Sequence, residues 1–174
     1  MAHEEQITYC NKIKNLFPDF FKNKKVLDVG SLDINGCNRY LFENCEYTGI
    51  DVGVGRNVDI VSKCHEFNAP DETYDVIIST ECFEHDPYFK DSFKNITRML
   101  KTGGMLIFTC ATTGRPEHGT IKTSPNDSPL TISHWGDYYH NITFNDIKEL
   151  LKNFSHIVEF NYNHCDLMFY GFKK

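Results

Sequence analysis

The chain has 174 residues, of which 40% are hydrophobic and 14% aromatic, enough for a sizeable core in one domain spanning residues 1 to 174. Its formal net charge of −6 argues against a broad phosphate-binding surface, so nucleic acid is not an expected partner. Seven cysteines without a C-x-x-C pair, a polar N-terminus and the lack of a membrane-length apolar run predict a cytoplasmic protein with no membrane partner.

The first half of the chain predicts one opening helix followed by strands. Apolar residues recur at helical spacing over residues 4 to 21. Strands are predicted at residues 25 to 30, 46 to 51, 58 to 61 and 73 to 80, with a helix at 37 to 44. Val76, Ile77 and Ile78 are consecutive, which is typical of a parallel strand covered on both faces.

The second half predicts two helices around a strand and a long aperiodic segment. A helix is predicted over residues 88 to 100, ending at "KTGG", and a strand over 105 to 110. Residues 111 to 142 show no period, and a loop of this length in a compact domain is usually functional. A helix over residues 144 to 154 precedes two alternating segments that predict an antiparallel pair with a turn at 163 to 166.

Strands that alternate with helices predict a doubly wound, mainly parallel α/β sheet. Ligands of such sheets bind beyond the carboxyl ends of the strands, where the strand order reverses. The loops at those ends are "GSLDING", "DVGVG", "TECFEHD" and "ATTGRPEHG", and they carry most of the unusual polar residues. We therefore expect the functional site in these four loops.

The segments "VLDVG", "YTGID", "YDVIISTECFEH" and "ITRMLKTGGMLIFT" occur in this order along the chain. In this respect the sequence resembles the class I S-adenosylmethionine-dependent methyltransferases, and most closely their small bacterial-type members with "TGRPEHGT" and "SPLT…YY.N.T" segments. The resemblance implies a Rossmann-like, doubly wound, seven-stranded, mainly parallel sheet of order 3-2-1-4-5-7-6 with strand 7 antiparallel. It also implies S-adenosyl-L-methionine as the cofactor.

The resemblance assigns cofactor-binding roles to the loops after the first four strands. Gly30 would let the backbone approach the methionyl part, Asp28 would orient that loop or reach the ammonium through water, and Asp51 would accept both ribose hydroxyls. The predicted cofactor-binding residues are Asp28, Gly30, Ser31, Leu32, Asp51, Val52, Cys64, His65, Thr80 and Glu81.

Two departures from the family pattern affect these assignments. The family often has glycines two and four places after Gly30, where this chain has Leu32 and Ile34, so a plain strand-to-helix turn is an even alternative for that stretch alone. Many relatives have an acid at the position of Lys63, which cannot accept a hydrogen bond. Glu66, a backbone carbonyl, or Cys64 and His65 with stacking would then hold the adenine, and a free surface histidine is an equal alternative for His65.

The catalytic candidates are His118, His85 and Glu81, at the expected cofactor rim. Positioning does most of the work of methyl transfer, and a base is needed only where the acceptor must lose a proton. His118 is the preferred base, because it lies in an aperiodic loop, whereas His85 has an equally good explanation as a loop anchor. The residues expected on the acceptor side are Arg115, His134, Tyr138 and Tyr139, although the two tyrosines also fit as ordinary loop anchors.

A metal site is the competing hypothesis for these polar loops. Glu81, His85, His118 and Asp137 would be its ligands if they converged. No motif with tight ligand spacing, such as H-E-x-x-H, supports it, so we expect no metal.

The sequence thus favours methyl transfer to a small polar acceptor, such as a hydroxyl of a sugar or a glycan precursor. The alternatives are a non-catalytic S-adenosylmethionine-binding module that partners an active subunit, and an enzyme that uses the fold for another reaction. The "[DNS]-P-P-[YFW]" signature of nucleic-acid amino methylation is absent after strand four. Short connections at residues 52 to 57 and 62 to 73 leave part of the sheet for a partner chain or, in a homo-oligomer, a second copy to cover.

Overall fold

The computed structural model describes residues 3 to 174 and contains a seven-stranded sheet. Its strands are Lys25–Val29 (β1), Glu46–Asp51 (β2), Ile60–Val61 (β3), Tyr74–Thr80 (β4), Leu100–Ala111 (β5), Phe154–Asn161 (β6) and Asp166–Lys173 (β7). The strand order is β3-β2-β1-β4-β5-β7-β6, and β7 pairs antiparallel with both neighbours. The predicted fold class, strand order and antiparallel seventh strand are therefore confirmed.

Four α-helices accompany the sheet within residues 3 to 174: three are predicted by the sequence and are shorter than expected, and the fourth lies in the segment 111 to 142, for which no helix is predicted. They are Glu4–Leu16 (α1), Phe89–Met99 (α2), Pro129–Trp135 (α3) and Phe144–Ile147 (α4). The helix expected over residues 37 to 44 is only a 3₁₀ turn at Arg39–Leu41, and the one expected over 144 to 154 is interrupted after α4 and resumes as a 3₁₀ turn at Leu150–Asn153. No helix in residues 3 to 174 is long and apolar enough to cross a membrane.

Alternating side chains of the central strands fill two separate cores. On one face Leu27, Ile77 and Phe108 pack with Phe93 of α2. On the other face Val26, Ile78 and Ile107 pack with Ile13 of α1. Because both faces of β1, β4 and β5 are covered, the central residues of these strands are mostly apolar and buried, as their sequence indicates.

Short connections flank β3 at one edge of the sheet. The connections on either side of this two-residue strand, at 52 to 59 and 62 to 73, contain no helix. Val54 is 83% exposed, and Ile60 and Val61 are 44% and 50% exposed. The short connections therefore leave an exposed apolar edge at this side of the sheet.

Candidate functional site

A cleft that is partly open to solvent lies at the carboxyl ends of β1, β2 and β4. Its far wall comes from the segment after β5, with residues 127 to 131 and Trp135. Of the ten predicted cofactor-binding residues, those that line it are Asp28, Gly30, Ser31, Leu32, Asp51, Val52, Cys64, Thr80 and Glu81. His65 lies apart from it, with its ring 4.3 Å from that of Tyr88.

The loop after β1 is shaped by Gly30, but for a reason that the sequence does not reveal. Gly30 has φ +77°, which disfavours side chains. A Cβ there would lie 2.5 Å from Sγ and 2.7 Å from Cβ of Cys82, in the loop after β4. The expected role was to let the backbone approach the cofactor. The structure shows that glycine is needed first to let two loops of the cleft pass each other.

The Asp51 carboxylate joins the loops after β1 and β2. Its Oδ2 accepts a hydrogen bond from the backbone N–H of Leu32 at 3.0 Å, and its Oδ1 accepts one from Val52 at 2.8 Å. Burial raises the pKa of this carboxyl, while the two N–H groups lower it. Each oxygen keeps a second lone pair, so the carboxylate can still accept two hydroxyl groups from a ligand.

A buried network behind the cleft holds Asp28. The Tyr47 hydroxyl donates to Asp28 Oδ2 at 2.5 Å, and Asn38 Nδ2 donates to Oδ1 at 3.2 Å. Asn38 Nδ2 also donates to Oγ1 of Thr80 at 3.1 Å, so the network links β1, β2 and β4. Burial raises the pKa of Asp28 to about 6 in spite of these donors. Asn38 itself lines the cleft, and sequence reasoning missed it because it falls in the predicted helix.

Glu81 faces the N-terminal helix and the neighbouring strand. Its φ is +51°, and its Oε1 accepts a hydrogen bond from Thr109 Oγ1 at 2.7 Å. His3 Nε2 lies 3.5 Å from Oε2 of Glu81 and 3.7 Å from Oδ2 of Asp166. Burial opposes ionisation of Glu81, but the contacts with His3 and Thr109 outweigh it and its pKa is lowered. Glu81 is thus an ionised, partnered carboxylate at the edge of the cleft.

A second polar cluster lies where the loops after β4 and β5 meet. It consists of Glu84, His85, His118 and Tyr139. The His85 ring is 5.1 Å from that of His118 and 5.5 Å from that of Tyr139. Glu84 is fully buried and His85 is 4% exposed. The backbone N–H groups of Glu84 and Ala111 face the carboxylate, but within residues 3 to 174 neither Glu84 oxygen nor either His85 ring nitrogen has a partner at hydrogen-bonding geometry.

Burial keeps the groups of this cluster uncharged in the absence of a ligand. Burial, with the negative charge of Glu81, raises the pKa of Glu84 to about 8. Burial and the nearby His118 lower the pKa of His85 to about 3, and the pKa of His118 is also lowered by burial. His118 Nδ1 lies 3.1 Å from the Pro116 carbonyl and therefore carries the proton of the neutral ring, which leaves Nε2 with a free lone pair.

The four residues expected on the acceptor side are dispersed. Only Tyr139 joins the cluster, and its hydroxyl donates to Asn141 Oδ1 at 2.7 Å. Arg115 is bound to Asp166 at 3.1 Å and to the His164 carbonyl at 2.7 Å. His134 is exposed on α3, and Tyr138 lines a separate surface depression beside α2. The structure therefore does not bring these four residues together.

Residues 1–166 match a protein-family model described as a methyltransferase domain. The chain belongs to this methyltransferase family. The family uses S-adenosyl-L-methionine, so both the predicted family and the predicted cofactor are confirmed.

This methyltransferase chain is similar to several known proteins, all of them distant. A phosphoethanolamine N-methyltransferase of Triticum aestivum is 28% identical over 150 residues, which cover 74% of this chain and 29% of that protein. A phosphoethanolamine N-methyltransferase 2 of Haemonchus contortus, solved with phosphomonomethylethanolamine and S-adenosylhomocysteine, has a TM-score of 0.65 at 18% identity, covering 97% of this chain and 52% of that one. A 1,6-didemethyltoxoflavin-N1-methyltransferase of Burkholderia thailandensis has a TM-score of 0.65 at 14% identity, covering 95% and 76%. The chain thus spans less than a third of the wheat relative, and the two structures support the fold alone.

The residues of the cleft fit the cofactor of this methyltransferase family. S-adenosyl-L-methionine carries a sulfonium and an ammonium, and the carboxylates that line the cleft are Asp28, Asp51, Glu81, Asp86 and Asp127. No lysine or arginine among the described residues lines it. Ser31 is 3% exposed, and its Oγ has no hydrogen-bond partner in the described part of the chain, so it is available to a polar ligand.

Proposed function

We propose that this methyltransferase transfers the methyl group of S-adenosyl-L-methionine to a small, polar, uncharged acceptor, such as a hydroxyl of a sugar or a glycan precursor. The observation that carries the proposal is the acidic lining of the cleft, which includes Asp51, Glu81 and Asp86 and no lysine or arginine of the described chain. For a phosphorylated or carboxylated acceptor, these carboxylates present like charge, which disfavours binding.

The cofactor supplies a methyl group that its sulfonium already activates. The chain contributes position: the loop at Gly30, Ser31 and Leu32 and the carboxylate of Asp51 would fix the nucleoside and methionyl parts. Trp135 and residues 127 to 131 form the far wall of the cleft. His85 lines the cleft from the side of the polar cluster, so His85, His118 and Glu84 are the groups nearest to an acceptor there.

The acceptor class is tested by measuring S-adenosylhomocysteine formation with matched acceptor pairs. Neutral sugars and polyols are compared with their phosphorylated counterparts at one ionic strength. We expect kcat/KM to be higher for the neutral member of each pair. A higher kcat/KM for the phosphorylated members, or for a phosphorylated amine such as the wheat relative is named for, would contradict the uncharged acceptor.

A second candidate function is a cofactor-binding module without its own activity. The exposed apolar edge at Val54, Ile60 and Val61 favours it, because a partner chain that adds to the sheet there would bury these side chains. Binding of S-adenosylhomocysteine by calorimetry, with no turnover for any acceptor until a partner subunit is added, would favour this alternative over an enzyme that acts alone.

A further inference from the structure

Three potential metal ligands face one another beside the cofactor cleft, and in the described part of the chain the side chains of two of them, Glu84 and His85, have no hydrogen-bond partner. One ligand atom each from Glu84, His85 and His118 lies within 4.8 Å of the other two. In a tetrahedral site with metal bonds of about 2.0 to 2.2 Å, two ligand atoms lie roughly 3.3 to 3.6 Å apart, so each ligand atom would have to move by at most about 1 Å to enclose an ion. These residues come from the loops after β4 and β5, in which sequence spacing gives no ligand motif.

Without a ligand, the buried polar atoms of this cluster destabilise the folded state. A buried carboxylate or imidazole nitrogen that lacks a hydrogen bond loses its hydration without compensation. Among residues 3 to 174, both oxygens of Glu84 and both nitrogens of His85 lack a hydrogen bond, and Arg115 is already bound to Asp166. A cation at the centre would satisfy the carboxylate and both imidazoles at once.

We propose that Glu84, His85 and His118 bind a divalent transition-metal ion of the zinc type. Two imidazoles and one carboxylate form a typical three-ligand set of a zinc site that keeps an open position. His118 has the orientation that such a ligand needs, since its Nδ1–H donates to the Pro116 carbonyl and its Nε2 is free. The set differs from the one that the sequence brought forward: Glu81 is engaged by Thr109 and His3, and Asp137 accepts a hydrogen bond from the Ile121 N–H.

The place of the cluster gives the ion a role, which rests on the proposed function. His85 belongs both to the cluster and to the lining of the cleft, so the open position faces the acceptor side. An acceptor hydroxyl bound there loses its proton to water more readily. Its oxygen then forms the bond to the methyl carbon, while the electron pair of the broken carbon–sulfur bond stays on sulfur. The ion thereby activates the acceptor hydroxyl, which positioning alone does not do.

The test is cobalt binding to the full chain, expressed without a histidine tag and stripped with a chelator. Co²⁺ is titrated while the visible absorption of a low-coordinate cobalt centre is recorded, and Zn²⁺ is then added in competition. We expect one equivalent to bind with His/carboxylate absorption and Zn²⁺ to displace it. Glu84→Gln and His118→Ala should each weaken Co²⁺ binding by at least about 100-fold, because each removes a direct ligand.

The matched control is His140→Ala, whose exposed ring lies outside the ligand set and which should bind Co²⁺ like the parent. Circular dichroism establishes that each variant is folded. If replacing the buried Glu84 destabilises the protein, the His118→Ala variant still tests the metal site, because His118 lies on a partly exposed loop. Absence of stoichiometric binding, or binding that both ligand variants retain, overturns the metal site and leaves a protonated Glu84 paired with His85. Calorimetry with S-adenosylhomocysteine separates the two proposals: cofactor binding without cobalt binding refutes only the metal, and cobalt binding without methyl turnover for any acceptor refutes only the function.

Discussion

Replacement of Asp51 by asparagine is the sharpest test of the cofactor site. Each carboxylate oxygen already accepts one backbone N–H, from Leu32 at 3.0 Å and from Val52 at 2.8 Å, and has one lone pair left for a ribose hydroxyl. Asparagine offers one oxygen only, so its amide group faces one of these N–H donors and one charge-assisted bond to the ribose is lost. Such a bond contributes about 1.5 to 3 kcal/mol, which is roughly a 10- to 150-fold loss of affinity for S-adenosylhomocysteine.

The measurement is calorimetry at fixed pH and ionic strength, with Asp59→Asn as the matched control. Asp59 also accepts a backbone N–H, from Gly49 at 2.7 Å, and loses the same charge, but it does not line the cleft. The 2′-deoxy form of S-adenosylhomocysteine completes a double-mutant cycle: the parent should discriminate against it, and Asp51→Asn should discriminate much less. If folded Asp51→Asn binds both ligands as the parent does, the carboxylate serves only to hold the two loops.

Three further predictions concern stability, each measured by urea unfolding. Gly30→Ala should destabilise the fold by about 2 to 5 kcal/mol, since it combines φ +77° with a Cβ 2.5 Å from Cys82 Sγ, and Cys82→Gly should restore part of the loss. Because the pKa of Asp28 is raised from 3.8 to about 6, the folded state binds more protons than the unfolded state between these pH values. The protonated carboxyl therefore contributes about 3 kcal/mol to the free energy of unfolding below pH 4, and this contribution is lost as the pH rises through 6. Asp28→Asn should show no such decrease of the free energy of unfolding between pH 4 and 6. Phe108→Ala should cost about 3 to 5 kcal/mol against less than about 1 kcal/mol for Phe160→Ala, because Phe108 is fully buried and Phe160 is 40% exposed; equal losses would contradict the packing.

The strand order was implied by the family resemblance, whereas the doubly wound, mainly parallel sheet could be predicted from local patterns that the structure keeps. The consecutive apolar residues of β4 and β5 require cover on both faces, and α1 and α2 provide it on opposite sides. The first residue of β5 was harder to predict. "KTGG" indicates the end of a helix, but in the structure Lys101–Gly104 belongs to β5, which pairs through a register shift between Tyr74 and Val76.

Helix length was overestimated where tertiary contacts overrule apolar spacing. Leu41 is buried, as its place in the predicted helix over 37 to 44 requires, but Asn38 turns towards Asp28 and Thr80 and bonds to both. A continuous helix through Asn38 would have to release these bonds. The capping box at Thr143, whose hydroxyl donates to Asp146 at 2.6 Å, starts the helix at Phe144 where the sequence places it, while its length depends on packing that no local pattern encodes.

The polar cluster marks the limit of sequence reasoning about the site. Glu84 and His85 are adjacent in the chain, whereas His118 comes 33 positions after His85 in an aperiodic loop (118 − 85 = 33). Nothing in the spacing shows that these three meet, or that the buried Glu84 oxygens lack partners. Only the pairing of β4 with β5, which aligns Thr80 with Thr109, brings the two following loops together.

The buried carboxyl groups of the cleft affect both the stability of the fold and the binding of a cationic ligand. Burial raises the pKa of Asp28 and of Asp51, and the charge of Asp51 raises that of Asp28 further, so ionising both carboxyls costs folding free energy. A cationic ligand offsets that cost, because it supplies the opposite charge that the described lining lacks. Methyl transfer converts a sulfonium into a neutral thioether and removes one positive charge from the ligand. The carboxylates that favour S-adenosyl-L-methionine therefore favour its demethylated product less, so the lining that holds the reactant also promotes release of the product.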